Sequence, residues 1–367
     1  ASGIGIFGST SKYYEDSIEF KFDHIYNMKC DLVARAKEIG LIEGNKLAFD
    51  FHFREFYGHN AKENGIEKGP NKAKKIVPEH RPHVAWDLAM NVIISIAYFQ
   101  GGVRSPKIIR QFCEKYIYPI FDPKAIREIY MDSEYTKETD FKYFKETTFK
   151  NGEIFVCLKQ NKQINKLIKP ALNEEEKWCD LKENSDDEYK MHNVILPHTK
   201  LPLSIVIVRD KKTHAHIRLF GATDKSLKAE DVLRKYRYRW LIENGLKDLV
   251  YSYFIDEICG KDPQRIDFGF YCIMVARLAY EYFLKELGGR YYNKEDGNKV
   301  TLGTMRNMLF EKRNCMLEEN ADKNIVITFL DVVEDEHFSA VSEMLTRMKE
   351  ERKNKVLWWN NRILLLR

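Results

Sequence analysis

The first readable rhythm runs from Asp23 to Ile39, where apolar residues recur at helical spacing until Gly40 stops them. Lys46 to Phe53 changes the period. Phe49, Phe51 and Phe53 fall on one side of an extended chain and Asp50 and His52 on the other, which predicts a strand with two unlike faces. Tyr57 to Pro82 is a long polar, lysine-bearing stretch and is expected to be loop. Val84 to Phe99 is strongly apolar and reads as two strands, or as one buried strand with a turn. Ser105 to Tyr118 and Thr136 to Thr147 have helical spacing. Ile126 to Met131 reads as a short buried strand ending in Asp132-Ser133-Glu134, and Gly152 to Leu158 as another strand. Strands alternating with helices predict an α/β core.

Near Lys159 the texture changes. Asn173-Glu174-Glu175-Glu176 and the run from Glu183 to Glu188 are acidic and polar, and the strand-like Leu201 to Val208 and His214 to Phe220 flank a turn at Arg209-Asp210-Lys211-Lys212. Residues 159–222 are therefore expected to form a β-rich insertion projecting from the core. One long helix is expected from Ser226 to Ile255, with Ser226 as its N-cap, and a second from Ile266 to Leu287. Val300 to Phe310 and Phe338 to Lys349 read as helices, with a strand at Asn324 to Phe329 between them. The expected organisation is an N-terminal segment (1–44), a first core part (45–158), the insertion (159–222), a second core part (223–300) and a mostly helical C-terminal region (301–367).

Composition narrows the classes. A chain of 367 residues with 44% hydrophobic and 13% aromatic residues can bury a large core, which excludes wholesale disorder. It holds no apolar run long enough for a membrane helix and opens, without an initiator Met, on Ala1-Ser2-Gly3. Its seven cysteines are odd in number, scattered and free of any C-x-x-C pair, which argues for reduced thiols in a cytoplasm or nucleoid and against a zinc site. A net charge of +5 permits a nucleic-acid partner without requiring one.

Candidate chemistry starts with Tyr236, Arg239, Glu243 and Lys247, whose spacing puts them on one face of the helix expected from Ser226 to Ile255. A carboxylate flanked by a phenol and two cations suits metal-assisted work on a phosphate backbone; an ordinary Glu243–Lys247 pair on a solvated face fits the same spacing. Trp240 and Leu241 read as core contacts. Asp50 lies mid-strand, where it is costly if covered unless paired or bound to a metal, although a solvated edge strand would also hold it. Asp132 follows a buried strand, a usual place for ligands in α/β sheets, and could equally cap a helix. Two Asp from a sheet and one Glu from a helix can hold two Mg²⁺ or Mn²⁺ ions that clamp the oxygens of a phosphodiester. Lys72, Lys74 and Lys75, in the loop after the first strand, and Lys159, Lys162, Lys166 and Lys169 add basic character for a DNA partner. Trp178 could stack on a base, though a lone Trp more often packs.

Leu47-Ala48-Phe49-Asp50 followed by Phe56-Tyr57-Gly58, Ile129-Tyr130-Met131-Asp132, and Tyr236 through Arg239 and Trp240 to Glu243 resemble the DDE transposases of insertion sequences, in the branch marked by Y-x2-R-x3-E-x6-K. The resemblance implies an α/β RNase H-like mixed sheet flanked by helices. It also implies Asp50, Asp132 and Glu243 as catalytic metal ligands, and Tyr236 and Arg239 on DNA phosphates, with Lys247 as a possible substitute for the motif's Lys. Strand cleavage at element ends and strand transfer into target double-stranded DNA follow, by a homodimer on DNA in the nucleoid. A nuclease that cuts without joining and a domesticated, inactive DNA-binding relative are the competing readings. Two positions depart from the pattern: the motif's Lys falls on Val250, and Glu134 stands where a small residue is usual.

Overall fold

A computed structural model describes residues 21–366 apart from 59–60, 63–65, 71–74, 100–105, 136, 149–151, 176–177, 182–183, 185, 259–261, 289–290, 292–298, 310–314, 322–324, 330–335, 351–354 and 357–361. The chain divides into two compact units, Ala1–Leu278 and Ala279–Arg367.

The first unit is built on one sheet. Its strands are β1 (Lys46–Phe51), β2 (His83–Asp87), β3 (Val92–Ala97), β4 (Glu128–Met131), β5 (Glu153–Leu158), β6 (Cys179–Asp180), β7 (Asp187–Ile195), β8 (Pro202–Asp210) and β9 (Arg218–Ala222). They lie in the order β3-β2-β1-β4-β5-β9-β8-β7-β6. The first three are antiparallel, and β4 and β5 run parallel to β1. That order and those directions are the RNase H-like sheet the resemblance implies. Val84 to Phe99 resolves into two paired strands because Asn91 adopts a positive φ of 51° at the turn between them. Asn is among the few residues other than Gly that tolerate this backbone region.

Residues 159–222 depart from the expectation of a projecting insertion. They carry a helix, α4 (Lys162–Asn173), and strands β6 to β9, which continue the main sheet outward from β5. The join is an antiparallel pairing in which Phe220 faces Cys157 and Gly221 faces Val156. Acidic turns gave this segment its distinct texture, but Leu203 and Ile205 to Val208 are all buried, so β8 needs cover on both faces and finds it inside a sheet.

Helices α1 (Phe22–Glu38), α2 (Pro106–Phe112), α3 (Glu138–Thr147), α5 (Ala229–Arg237), α6 (Trp240–Tyr251) and the beginning of α7 (Pro263–Leu287) flank the sheet. The fully buried Lys29 of α1 donates to Asp267 of α7 at 2.7 Å and to the carbonyl of Ile96 at 2.8 Å, and Asp267 also accepts from the Tyr98 amide at 3.0 Å. A buried pair whose remaining atoms are satisfied in this way holds two helices at one strand end; removing either partner would strand a charge. On the other side, Arg277 of α7 grips Asp248 of α6 at 2.7 Å.

The second unit has helices α8 (Leu302–Leu309) and α9 (Glu336–Glu350) and a four-stranded sheet, where the sequence predicts a single strand beside the helices. Its strands β10 (Cys315–Glu319), β11 (Ile325–Phe329), β12 (Lys355–Val356) and β13 (Arg362–Leu366) lie in the order β10-β11-β13-β12. Tyr280, Leu284, Tyr291, Met305, Val341 and Met344 form its core. Among the described residues no helix is long and apolar enough to cross a membrane.

Candidate active site

The site is assembled from two neighbouring parallel strands and a helix break. In β1, Phe49 is buried and stacks on Phe144 with ring centroids 6.1 Å apart; alternation then turns Asp50 to the opposite face. The pairing of Phe49 with Met131 carries forward one residue to set Asp50 beside Asp132, which follows β4 directly. A short 3-10 turn, Ser133–Tyr135, follows, and the buried Tyr135 hydroxyl bonds His83 Nδ1 at 2.9 Å. Burial lowers the His83 imidazole to about 3, so the ring is neutral and pins the Asp132 turn to β2 as an uncharged partner. Sequence reasoning missed this bond, which joins residues far apart in the chain.

The helix expected from Ser226 to Ile255 is two helices. α5 ends at Arg237 and α6 begins at Trp240, joined by a tightened turn in which the amides of Tyr238, Arg239, Leu241 and Ile242 each bond the carbonyl three residues back. Tyr236, Arg239 and Glu243 stay on one side through this turn. Lys235 fixes α5 against the sheet with ion pairs to Glu128 at 3.1 Å and Glu153 at 3.0 Å. Gly245 fixes α6: a Cβ there would fall 2.4 Å from the buried Trp86 ring, so only glycine lets the helix lie this close to β2.

Arg239 is the centre of the arrangement. It is 7% exposed, bonds Glu243 Oε1 through Nη2 and lies 3.5 Å from Asp50 Oδ2 through Nη1. Burial works against its charge, but Tyr236, Asp132, Glu243 and Asp50 outweigh that and hold the guanidinium protonated. The Asp50 carboxyl is pushed up to about 7, first by burial and then by repulsion from Asp132, with Glu243 adding to it; the Phe51 amide and Arg239 act in the opposite direction. Three carboxylates thus crowd one place, with a guanidinium as their internal counter-charge.

Tyr236 is buried against Phe220, ring centroids 5.1 Å apart, with its hydroxyl beside Arg239 and the Cys157 thiol; neither Tyr236 Oη nor Arg239 Nε makes a well-aligned hydrogen bond. Burial raises both the Tyr236 phenol and the Cys157 thiol, so both keep their protons. His52, on the Asp50 side of the strand, lies 2.5 Å from Asp256 through Nε2, tying the end of β1 to the chain after α6.

Other expectations resolve differently. Lys247 is exposed, and Glu243 pairs with Arg239, so an ordinary Glu243–Lys247 pair is not what the helix presents. Trp240, read as a core contact, is 63% exposed, and Tyr238 and Tyr251 are exposed with it. Trp178 has the Arg209 guanidinium 3.6 Å from its ring centroid, so that face packs against the protein. Glu134 and Lys75 are exposed, Val250 is half-buried, and Lys72 and Lys74 lie outside the described residues.

Comparison with known proteins supplies the family. A model of the transposase DDE domain matches residues 45–278. No curated protein matches the chain. Among solved structures, a piggyBac transposase synaptic complex with hairpin DNA is similar at 14% identity and a TM-score of 0.43, over 73% of this chain and 54% of that one. The chain therefore spans about half the length of that relative. The matched region contains Asp50, Asp132, Arg239 and Glu243 together: the chain belongs to the transposase DDE domain family.

Proposed function

We propose that this chain is a DNA transposase that cuts strands at the ends of an element and joins them to target double-stranded DNA, as a homodimer on the DNA. The observation that carries the reading is the convergence of Asp50, Asp132 and Glu243 around Arg239, beside a buried phenol that lacks a well-aligned partner.

The family implies divalent cations, and the donor set can be tested for them. Carboxylate oxygens are hard ligands suited to Mg²⁺ or Mn²⁺. Burial, and after it repulsion from Asp132 and Glu243, lifts Asp50 to about 7, and a bound cation would relieve that repulsion. With Arg239 seated among them, no three His, Cys, Asp or Glu residues among those described form a ready ligand group. The chemistry of the residues fits, with Arg239 standing in for part of the positive charge. Asp50, Asp132 and Glu243 would hold two ions. When bound, these supply Lewis-acid stabilisation of the phosphate and an activated attacking oxygen.

The chain's own residues do the rest. Arg239 and the Tyr236 hydroxyl offer donors to a non-bridging phosphate oxygen, a charge-assisted contact stronger than a neutral one. The exposed Trp240 and Tyr238 offer flat surfaces beside Glu243 on which a base at a distorted DNA end can rest. His52 and Asp256 steady the end of β1, so that Asp50 keeps its place when the phosphate arrives.

The test is incubation with Mn²⁺ and a labelled duplex bearing candidate element ends, beside an unlabelled target. Joined products are expected. Cleavage without joining would make the chain a nuclease, and binding without cleavage an inactive relative.

A further inference from the structure

The structure assigns a second nucleic-acid surface away from the carboxylates: we propose that the groove between α4 and the end of β7 binds an unpaired DNA strand. The inference rests on the proposed DNA function and adds to it where a strand released from pairing would lie.

The groove has a volume of about 760 Å³. Lys162 and Lys166, one helical turn apart, form one rim and His198 the other, while the His192 ring reaches the Leu167 carbonyl of α4 at 3.2 Å. Between them lies an apolar floor of Leu167, Val194 and Ile195, and Ile195 is 51% exposed, a large apolar side chain left open to water. No lining residue is acidic. The N-terminus of α4, capped by Asn161 on the Ile164 amide at 2.9 Å, adds its partial positive charge at the same end.

A carboxylate beside the groove, Glu138, is already engaged. Glu138 opens α3, directly behind the turn that follows Asp132, and accepts from Gln163 Nε2 of α4, from the His198 amide at 3.0 Å and from the Thr199 amide at 3.1 Å. One side chain therefore ties both walls of the groove to the segment that carries Asp132. The Glu138 oxygens are already held by these donors.

A cationic rim over an apolar floor selects its occupant. A duplex keeps its bases stacked inside and offers phosphates alone, which would leave the floor unused. An unpaired strand offers phosphates to Lys162 and Lys166 and the face of a base to Ile195, the combination found in single-strand grooves. An acidic peptide could answer the charges, but it has no flat group to repeat along the floor.

The test uses the full chain and a fluorescent oligo-dT followed by anisotropy across a salt series, with circular dichroism as a check on folding. The K162E/K166E variant is expected to bind oligo-dT at least about tenfold more weakly, with the salt slope falling by about 1.4, near 0.7 for each lost phosphate contact. Ile195→Ser should weaken oligo-dT and leave the slope unchanged. Photo-crosslinking of bromodeoxyuridine oligonucleotides to the unaltered chain should label peptides from α4 and β7. If the unaltered chain binds duplex but both variants leave oligo-dT binding as it was, or the crosslinks fall elsewhere, the groove assignment fails and the transposase reading stands. Displacement of oligo-dT by poly-glutamate at equal charge concentration would make the occupant a polypeptide and overturn the assignment. A chain that binds no DNA in any form overturns both.

Discussion

At the scale of single residues, Glu243 and Arg239 touch one another but should fail in different ways. Glu243→Gln keeps the shape and removes the charge that holds a cation, so cleavage in Mg²⁺ should fall by roughly 10²-fold or more while duplex affinity changes little. Arg239→Gln removes the proposed phosphate grip, so binding should weaken about tenfold and the salt slope should flatten by about 0.9. Gel-shift titrations at several salt concentrations, run beside a cleavage assay, separate the two; a Glu243→Gln protein that cuts at the parent's rate removes α6 from the chemistry. Asp50 carries a pH signature. Its carboxyl holds a proton to about 7 in the folded chain against an ordinary 3.8, so between those values the folded state binds more protons and stability declines as pH rises. Asp50→Asn should abolish that decline and, without metal, stabilise the chain at pH 8 by on the order of 2 kcal/mol. Thermal melts from pH 5 to pH 8 read this directly, and parallel profiles for the two proteins would show that the buried charge costs nothing.

At the scale of elements, the sequence revealed what periodicity and motif spacing can encode. Asp50 between Phe49 and Phe51, Asp132 at a strand end, and Tyr236, Arg239 and Glu243 on one side of a helical segment were all legible, because strand and helix periods fix which side chains share a face. The break at Tyr238 was not, since a tightened turn within a helical segment leaves the apolar spacing almost unchanged. The exposure of Trp240 was hidden for a related reason: hydrophobicity expresses a preference for burial, and a surface that receives a partner sets that preference aside. Gly245 was equally silent, because its meaning lies in Trp86, a residue of another strand. Gly245→Ala should push α6 off the sheet, costing about 1–3 kcal/mol and displacing Glu243 from Asp50. The measurement is a denaturant melt together with the cleavage rate; an unchanged rate in a folded Gly245→Ala protein would mean that the close approach does not set the site.

At the scale of the whole molecule, local texture misled where it met long-range pairing. The acidic turns of 159–222 looked like a boundary, yet β9 pairs with β5 and carries β8, β7 and β6 with it, so that one sheet runs through nine strands. The C-terminal strands Cys315–Glu319 and Arg362–Leu366 were missed because short apolar runs suit helix and strand alike. If the sheet is one cooperative body, amide exchange in β8 and β9 should slow to the level of β1, β4 and β5 and respond to denaturant along with them. Independent, faster exchange from 187–222 would restore the separate insertion.

The guanidinium seated among the carboxylates has a thermodynamic consequence. Arg239 and an incoming cation answer the same negative charges, so each weakens the other's hold, and by reciprocity a ligand that draws Arg239 toward itself must tighten the cation by the factor by which the cation tightens the ligand. By the function proposed above, a phosphate would be such a ligand. Mn²⁺ titrated calorimetrically into the chain should therefore bind more tightly when a non-cleavable duplex is present, and equal affinities would mean that Arg239 never leaves its seat. Coupling of this kind would favour the metal-loaded state in molecules already holding a strand, without any separate regulator.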